Sequence, residues 1–150
     1  ITSRLLTNAE TWNKITKRNL HDLEVIQATT IKRLLRLPNG TPTNGLRNEL
    51  GILTVESQII IKKLLFLHRV TNMEDDKLVR RVMMKQKEQP GNHWYQGVEE
   101  IAATLDLPIE ENVLKEITRN QWRRRVVETI RKKEKHRWKP GSEQVKSAEK

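Results

Sequence analysis

The chain contains no cysteine, and one Phe, one Tyr and four Trp are its only aromatic residues. The first absence removes disulfide scaffolds, zinc ribbons, thiol nucleophiles and iron–sulfur sites, and it fits a reducing compartment, so the nucleus or cytoplasm is the expected location. The second leaves a core to be assembled from Leu, Ile and Val within a single domain, since 150 residues at 32% charged content bury only a modest interior. No apolar run approaches the roughly 20 residues that span a bilayer, and ITSRLLTNAE does not have the layout of a secretory signal. Ile1 in place of Met is what a processed, recombinant or partial chain would show.

Motifs for common chemistries are also missing. The six glycines form neither a GxGxxG nor a GxxxxGK[ST] pattern, and no GxSxG surrounds a serine, so nucleotide-cradling loops and nucleophile elbows are excluded. His21, His68, His93 and His136 have no ligand partner at helical i+3 or i+4 spacing, so no metal or other cofactor is expected. Adjacent acids occur at Asp75-Asp76, Glu99-Glu100 and Glu110-Glu111. The first pair is placed to cap a helix, and the other two read as solvated helix surface. Asn39-Gly40-Thr41 has the form of a glycosylation sequon but lies in turn chemistry.

What remains is helical periodicity punctuated by stop signals. Thr16 can cap a helix running to about Arg36, with Leu20, Leu23, Ile26, Ile31, Leu34 and Leu35 on one half of the wheel. Thr43 can cap a short helix that Gly51 stops, and Thr54 opens a longer one whose interior, IIIKKLLFLHRV, is apolar nearly all round and predicts the central core element. Further helices are expected over about 76–89, opened by Asp75 or Asp76, over about 93–105, capped by Asn92, and over about 110–138 with a break near Thr118 to Asn120. Residues 140–150 have the composition of a disordered tail. The expected fold is therefore an all-α, compact bundle of about five to seven helices over 1–139, with a basic C-terminal helix.

Charge is concentrated in that last helix. The chain carries 29 Lys and Arg against 19 Asp and Glu, and residues 119–139, RNQWRRRVVETIRKKEKHRWK, hold ten of the former and two of the latter. Wound at 100° per residue, Trp122, Val126, Val127, Ile130 and Trp138 fall within about 160°, while Arg124, Arg125, Arg131, Lys132, Lys135 and Lys139 fall within an opposite arc of about 120°. Such a helix can dock on a core and still present a cationic face to a polyanion, so these six and the adjacent Arg123 are the candidate nucleic-acid contacts. Trp122 and Trp138 share their arc with Val and Ile, which favours packing over base stacking. Arg80-Arg81 and Lys62-Lys63 are basic pairs that could extend the surface. An amphipathic helix on an anionic membrane surface is the lesser alternative, and a scaffold module docking on an acidic protein is another.

The segments LLTNAETW (5–12), TKRNLHDLEVIQATTIKRLLRLPNGTPTNGLRNELGIL and IKKLLFLHRV together resemble the region that follows the polymerase palm in reverse transcriptases of non-LTR, LINE-type retrotransposons. There a segment of the LLYGSETW kind precedes a helix, an LP turn and an ELGxL helix that leads into a long apolar one. The likeness covers about residues 4–72 closely and the rest, including NHWYQGVEEI, in general character. It implies a thumb and post-thumb helical module that grips template–primer duplex or element RNA, with RNA, DNA or a hybrid as partner and the remainder of the polymerase as another. It implies no catalysis by this chain: the family's aromatic-x-Asp-Asp hairpin is missing, since Met73-Glu74-Asp75-Asp76 lacks the aromatic, and so is the downstream zinc knuckle.

Overall fold

The computed structural model describes Leu6 and residues 8–12, 15–89, 91 and 93–148, from 136 onward as backbone alone. Among them are seven α-helices and no strand: α1 (Lys17–Leu34), α2 (Thr43–Leu50), α3 (Val55–Thr71), α4 (Leu78–Glu88), α5 (Trp94–Thr104), α6 (Glu111–Glu116) and α7 (Arg119–Ala148), preceded by a 3₁₀ turn at Ala9–Thr11. The fold is the compact all-α bundle that the periodicity predicts.

Local chemistry sets most boundaries. The Thr16 and Thr54 hydroxyls accept from the amides of Asn19 and Ser57, so both are N-caps as their positions predict. Gly51 adopts φ 66° and lets the Ile52 amide reach the Arg47 carbonyl, a Schellman stop. The same motif ends α1 and α5 without glycine: Arg36 (φ 55°) and Asp106 (φ 54°) are left-handed, with Leu37 N bonded to Lys32 O and Leu107 N to Ala102 O. The Asn39-Gly40-Thr41 turn is closed by the Thr41 amide and hydroxyl, both donating to the Pro38 carbonyl.

Several expected caps fall elsewhere. Pro42, not Thr43, is the cap of α2, its fixed φ being already suited to helix entry. Lys77, not Asp75 or Asp76, precedes α4, because Asp75 is drawn into an ion pair with Arg80. His93 caps α5, its Nδ1 accepting from the Gln96 amide; Asn92 lies outside the described residues. From Pro140, where the composition suggests a tail, the helical backbone of α7 instead continues to Ala148, through helix formers such as Glu143, Gln144 and Lys146.

Helix α3 is the hub, touching the 3₁₀ turn, α1, α4, α5, α6 and α7. Its Leu64, Leu67 and Val70 join Met83, Val98, Leu114, Trp122, Val126 and Ile130 in the main core, and its first turns carry Val55 and Ile59 into a smaller cluster with Leu6 and Ala9. An apolar-all-round helix can be satisfied only by such encirclement. The arc assigned to α1 is only partly buried. Leu20 and Leu23 pack on the smaller cluster, but Ile26, Leu34 and Leu35 are exposed, Leu34 at 67%. The reason is that α2 meets α1 through polar groups: Arg47 bonds Glu24 and Gln27, so the apolar end of α1 extends beyond any covering element among the described residues.

Candidate nucleic-acid interface

Helix α7 starts at a reciprocal capping box. The Thr118 hydroxyl accepts from the Gln121 amide at 3.2 Å, and the Gln121 side-chain oxygen accepts from the Thr118 amide at 3.1 Å. This satisfies two donors and produces the break expected near 118–120. From there the two arcs separate as the wheel predicts. Trp122, Val126 and Ile130 are buried, and the Trp122 indole N–H donates to the Leu64 carbonyl of α3 at 2.9 Å. Trp122 is thus a packing residue.

On the other side, Arg123, Arg124, Arg125, Arg131, Lys132 and Lys135 are all exposed, and none makes an ion pair among the described residues. Arg123 reaches solvent although its wheel position lies in the apolar arc. The side chain of Lys139, like those of His136 and Trp138, lies outside the described residues. Glu128 falls inside the cationic arc, four residues from both Arg124 and Lys132, and is exposed.

The other acid of the segment has a different position. One Glu134 oxygen accepts from the Thr54 amide (3.2 Å), the Thr54 hydroxyl (2.9 Å) and the Ser57 hydroxyl (2.6 Å) at the start of α3. Glu24 of α1 supplies a second carboxylate there, accepting from the Glu56 amide at 3.1 Å while pairing with Arg47 at 2.6 Å. Two acids therefore meet the positive end of the hub helix. Sequence reasoning missed both, because partners 80 and 32 residues away leave no local spacing signal.

Arg80 answers at the opposite end. It does not extend the cationic surface: it is only 5% exposed, donates to the Thr71 carbonyl at the C-terminus of α3, and pairs with Asp75 and Glu111, each at 2.9 Å. Glu111 also binds Lys115, and these hydrogen bonds hold its carboxyl below the usual carboxylate range. It is therefore not idle helix surface, whereas Glu99 and Glu100 are exposed as expected. Lys63 likewise leaves the cationic surface, being buried in the bundle, while Lys62 is half-buried and Arg81 exposed. His68 is buried, its Nε2 donating to the Ile117 carbonyl at 2.9 Å, and Asn72 donates to the carbonyl of Leu114 at 3.2 Å.

Comparison of the chain with protein-family models, with curated proteins and with solved structures finds no match. The geometry must carry the chemistry. Among the described residues no three His, Asp or Glu gather where they could hold a metal ion, and no helix is long and apolar enough to cross a membrane. The exposed aromatic surface needed for base stacking is not offered by Trp122 or Tyr95, both buried. What the α7 face offers is guanidinium and ammonium groups in a row, a chemistry suited to phosphate oxygens.

Proposed function

We propose that the chain is a nucleic-acid-binding helical module that grips a duplex, whether RNA, DNA or a hybrid, through phosphate contacts from α7 and with little sequence preference. The observation that carries this reading is the row of six exposed cations, without ion-pair partners among the described residues, on a helix whose opposite face is buried against the hub. A face compensated by interspersed acids would be ordinary solvated surface; this one has only Glu128 within it. The resemblance of residues 4–72 to the thumb region of LINE-type reverse transcriptases supports the same reading and attributes the catalytic work to another part of a larger polymerase.

Exposed Leu34 and Leu78, at 67% and 72%, favour a second surface role, contact with a further protein body such as the remainder of that polymerase. A scaffold docking on an acidic protein would use the α7 cations differently. Titrating unrelated duplex sequences by fluorescence anisotropy over graded salt separates these. Exchange of Arg124, Arg131 and Lys135 for Gln is expected to weaken all sequences alike and to reduce the salt slope by about 0.7–0.9 for each phosphate no longer neutralised. Glu128→Gln is expected to tighten binding about two- to fivefold, as removal of one like-signed neighbour of the ligand. Duplex binding that is indifferent to salt and to all four substitutions refutes the proposal.

A further inference from the structure

A cavity of about 570 Å³ lies between the start of α1 and helices α3, α5 and α7. Its walls are mainly apolar, with Leu20, Ile59, Ile60, Trp94, Ile101 and Ile130 among them, and its size lies within the range of small-molecule sites.

Two features of its lining are not explained by the packing of the chain. The first is Gly97, in the middle of α5. It belongs to the stripe Trp94, Gly97, Ile101 and Thr104 that faces the cavity, and a Cβ built there would meet no atom within 4 Å. Glycine inside a helix is destabilising by roughly 0.5–1 kcal/mol relative to alanine. Close approach of a neighbouring element is the common compensation, and none is present among the described residues. The second is Lys63, only 7% exposed on an apolar wall, where burial lowers its pKa because the charged form is desolvated.

The other charged groups of the lining are differently engaged. Glu134 is bonded to Thr54 and Ser57, while Lys17, Glu56, Glu100 and Lys133 are exposed. An ammonium has three N–H donors, so a ligand oxygen can join whatever else Lys63 contacts. An anion there would favour the charged form that burial penalises, and a flat or linear hydrocarbon body could lie against the Gly97 backbone.

We propose that this cavity binds an organic monoanion with an apolar body, of which a medium-chain carboxylate is the simplest, its carboxylate at Lys63 and its chain over Gly97 and the Ile59, Ile60 and Ile101 side chains. The site is distinct from the cationic face of α7 and does not depend on the nucleic-acid reading.

Calorimetric titration of the full chain with octanoate, and separately with octanol, tests it. Octanoate is expected to bind one to one and at least about tenfold more tightly than octanol. Lys63→Met is expected to bring octanoate down to the octanol level without changing octanol. Gly97→Leu is expected to abolish binding of both with no fall in melting temperature, since the added side chain enters open space. Should Gly97→Leu not fold, Gly97→Ala replaces it, with a raised melting temperature and weaker octanoate binding expected. Equal affinity for the two ligands, unchanged octanoate affinity in Lys63→Met, unchanged affinity in a stabilised Gly97→Ala, or no saturable heat from the folded chain would each overturn the proposal.

Discussion

Glu134 is the most discriminating position in the chain, because one side chain carries opposite consequences for stability and for binding. Its oxygen accepts three hydrogen bonds at the start of α3, one from a backbone amide and two from hydroxyls, in a partly buried setting. Hydrogen bonds to a charged group are worth about 1.5–3 kcal/mol where one can be isolated, and three sharing one acceptor are not additive. Glu134→Ala should therefore lose about 2–3 kcal/mol in total, the Thr54 amide being left without its partner. For a domain of this size that corresponds to a melting temperature lower by roughly 4–12 °C. Glu134→Gln keeps an acceptor oxygen and loses only the charge facing the helix dipole, so about 0.5–1 kcal/mol is expected. Urea denaturation followed by circular dichroism measures both, and a double-mutant cycle with Ser57→Ala should show coupling of at least about 0.5 kcal/mol. Meanwhile the folded Gln variant, one unit more positive, should bind duplex slightly more tightly. Destabilisation of less than about 0.5 kcal/mol in Glu134→Ala, or absence of coupling to Ser57, would refute the argument that this carboxylate fastens α7 to the hub.

Other expectations follow from burial and titration. Leu64→Ala should cost about 2–5 kcal/mol and Trp122→Ala about 3–5 kcal/mol in denaturant melts, both side chains being wholly buried; retained stability without nucleic-acid binding in Trp122→Ala would make the ring a ligand contact instead. Because the Glu111 carboxyl is held below its ordinary value in the fold, its contribution to stability is complete above the unfolded-state pKa near 4.5 and is lost as pH falls through the lower folded value. Glu111→Gln should accordingly flatten the acid limb of the stability–pH curve, and an unchanged limb would deny the Arg80 and Lys115 contacts any part in it. Arg36→Gly relieves a left-handed residue with a Cβ and should stabilise by up to about 1 kcal/mol in the same melts; destabilisation would mean that the Arg36 side chain has a packing role that outweighs its backbone strain.

The sequence disclosed those parts of the fold that rest on short-range regularities. Apolar period placed α3 at the centre, Thr16, Thr54 and Gly51 marked boundaries they indeed occupy, and the separation of Trp122, Val126 and Ile130 from the cations of α7 was visible on a wheel. Contacts between distant elements were not visible. Arg80 and Arg81 look equivalent as a dipeptide, yet one is buried against the end of α3 and the other is exposed. Glu134 looked like a stray acid in a basic run. The exposed end of α1 misled for the converse reason: its apolar spacing is genuine, but no described element of this chain covers Leu34 and Leu35.

The attachment of α7 at two separate points has a bearing on how this segment can change over time. Trp122 grips α3 at Leu64 and Glu134 grips it at Thr54 and Ser57, in antiparallel order and about 18 Å apart along the axis. With both held, the helix has no freedom to roll, and the guanidinium row keeps a fixed heading. One inserted or deleted residue between the two would turn everything beyond it by about 100°, detaching one anchor and setting Arg131 and Lys135 out of phase with Arg124. Point substitutions on the outer side carry no such consequence. The interval between the anchors should thus tolerate drift in its letters but not in its length, so the reading frame of this helix is itself a structural element.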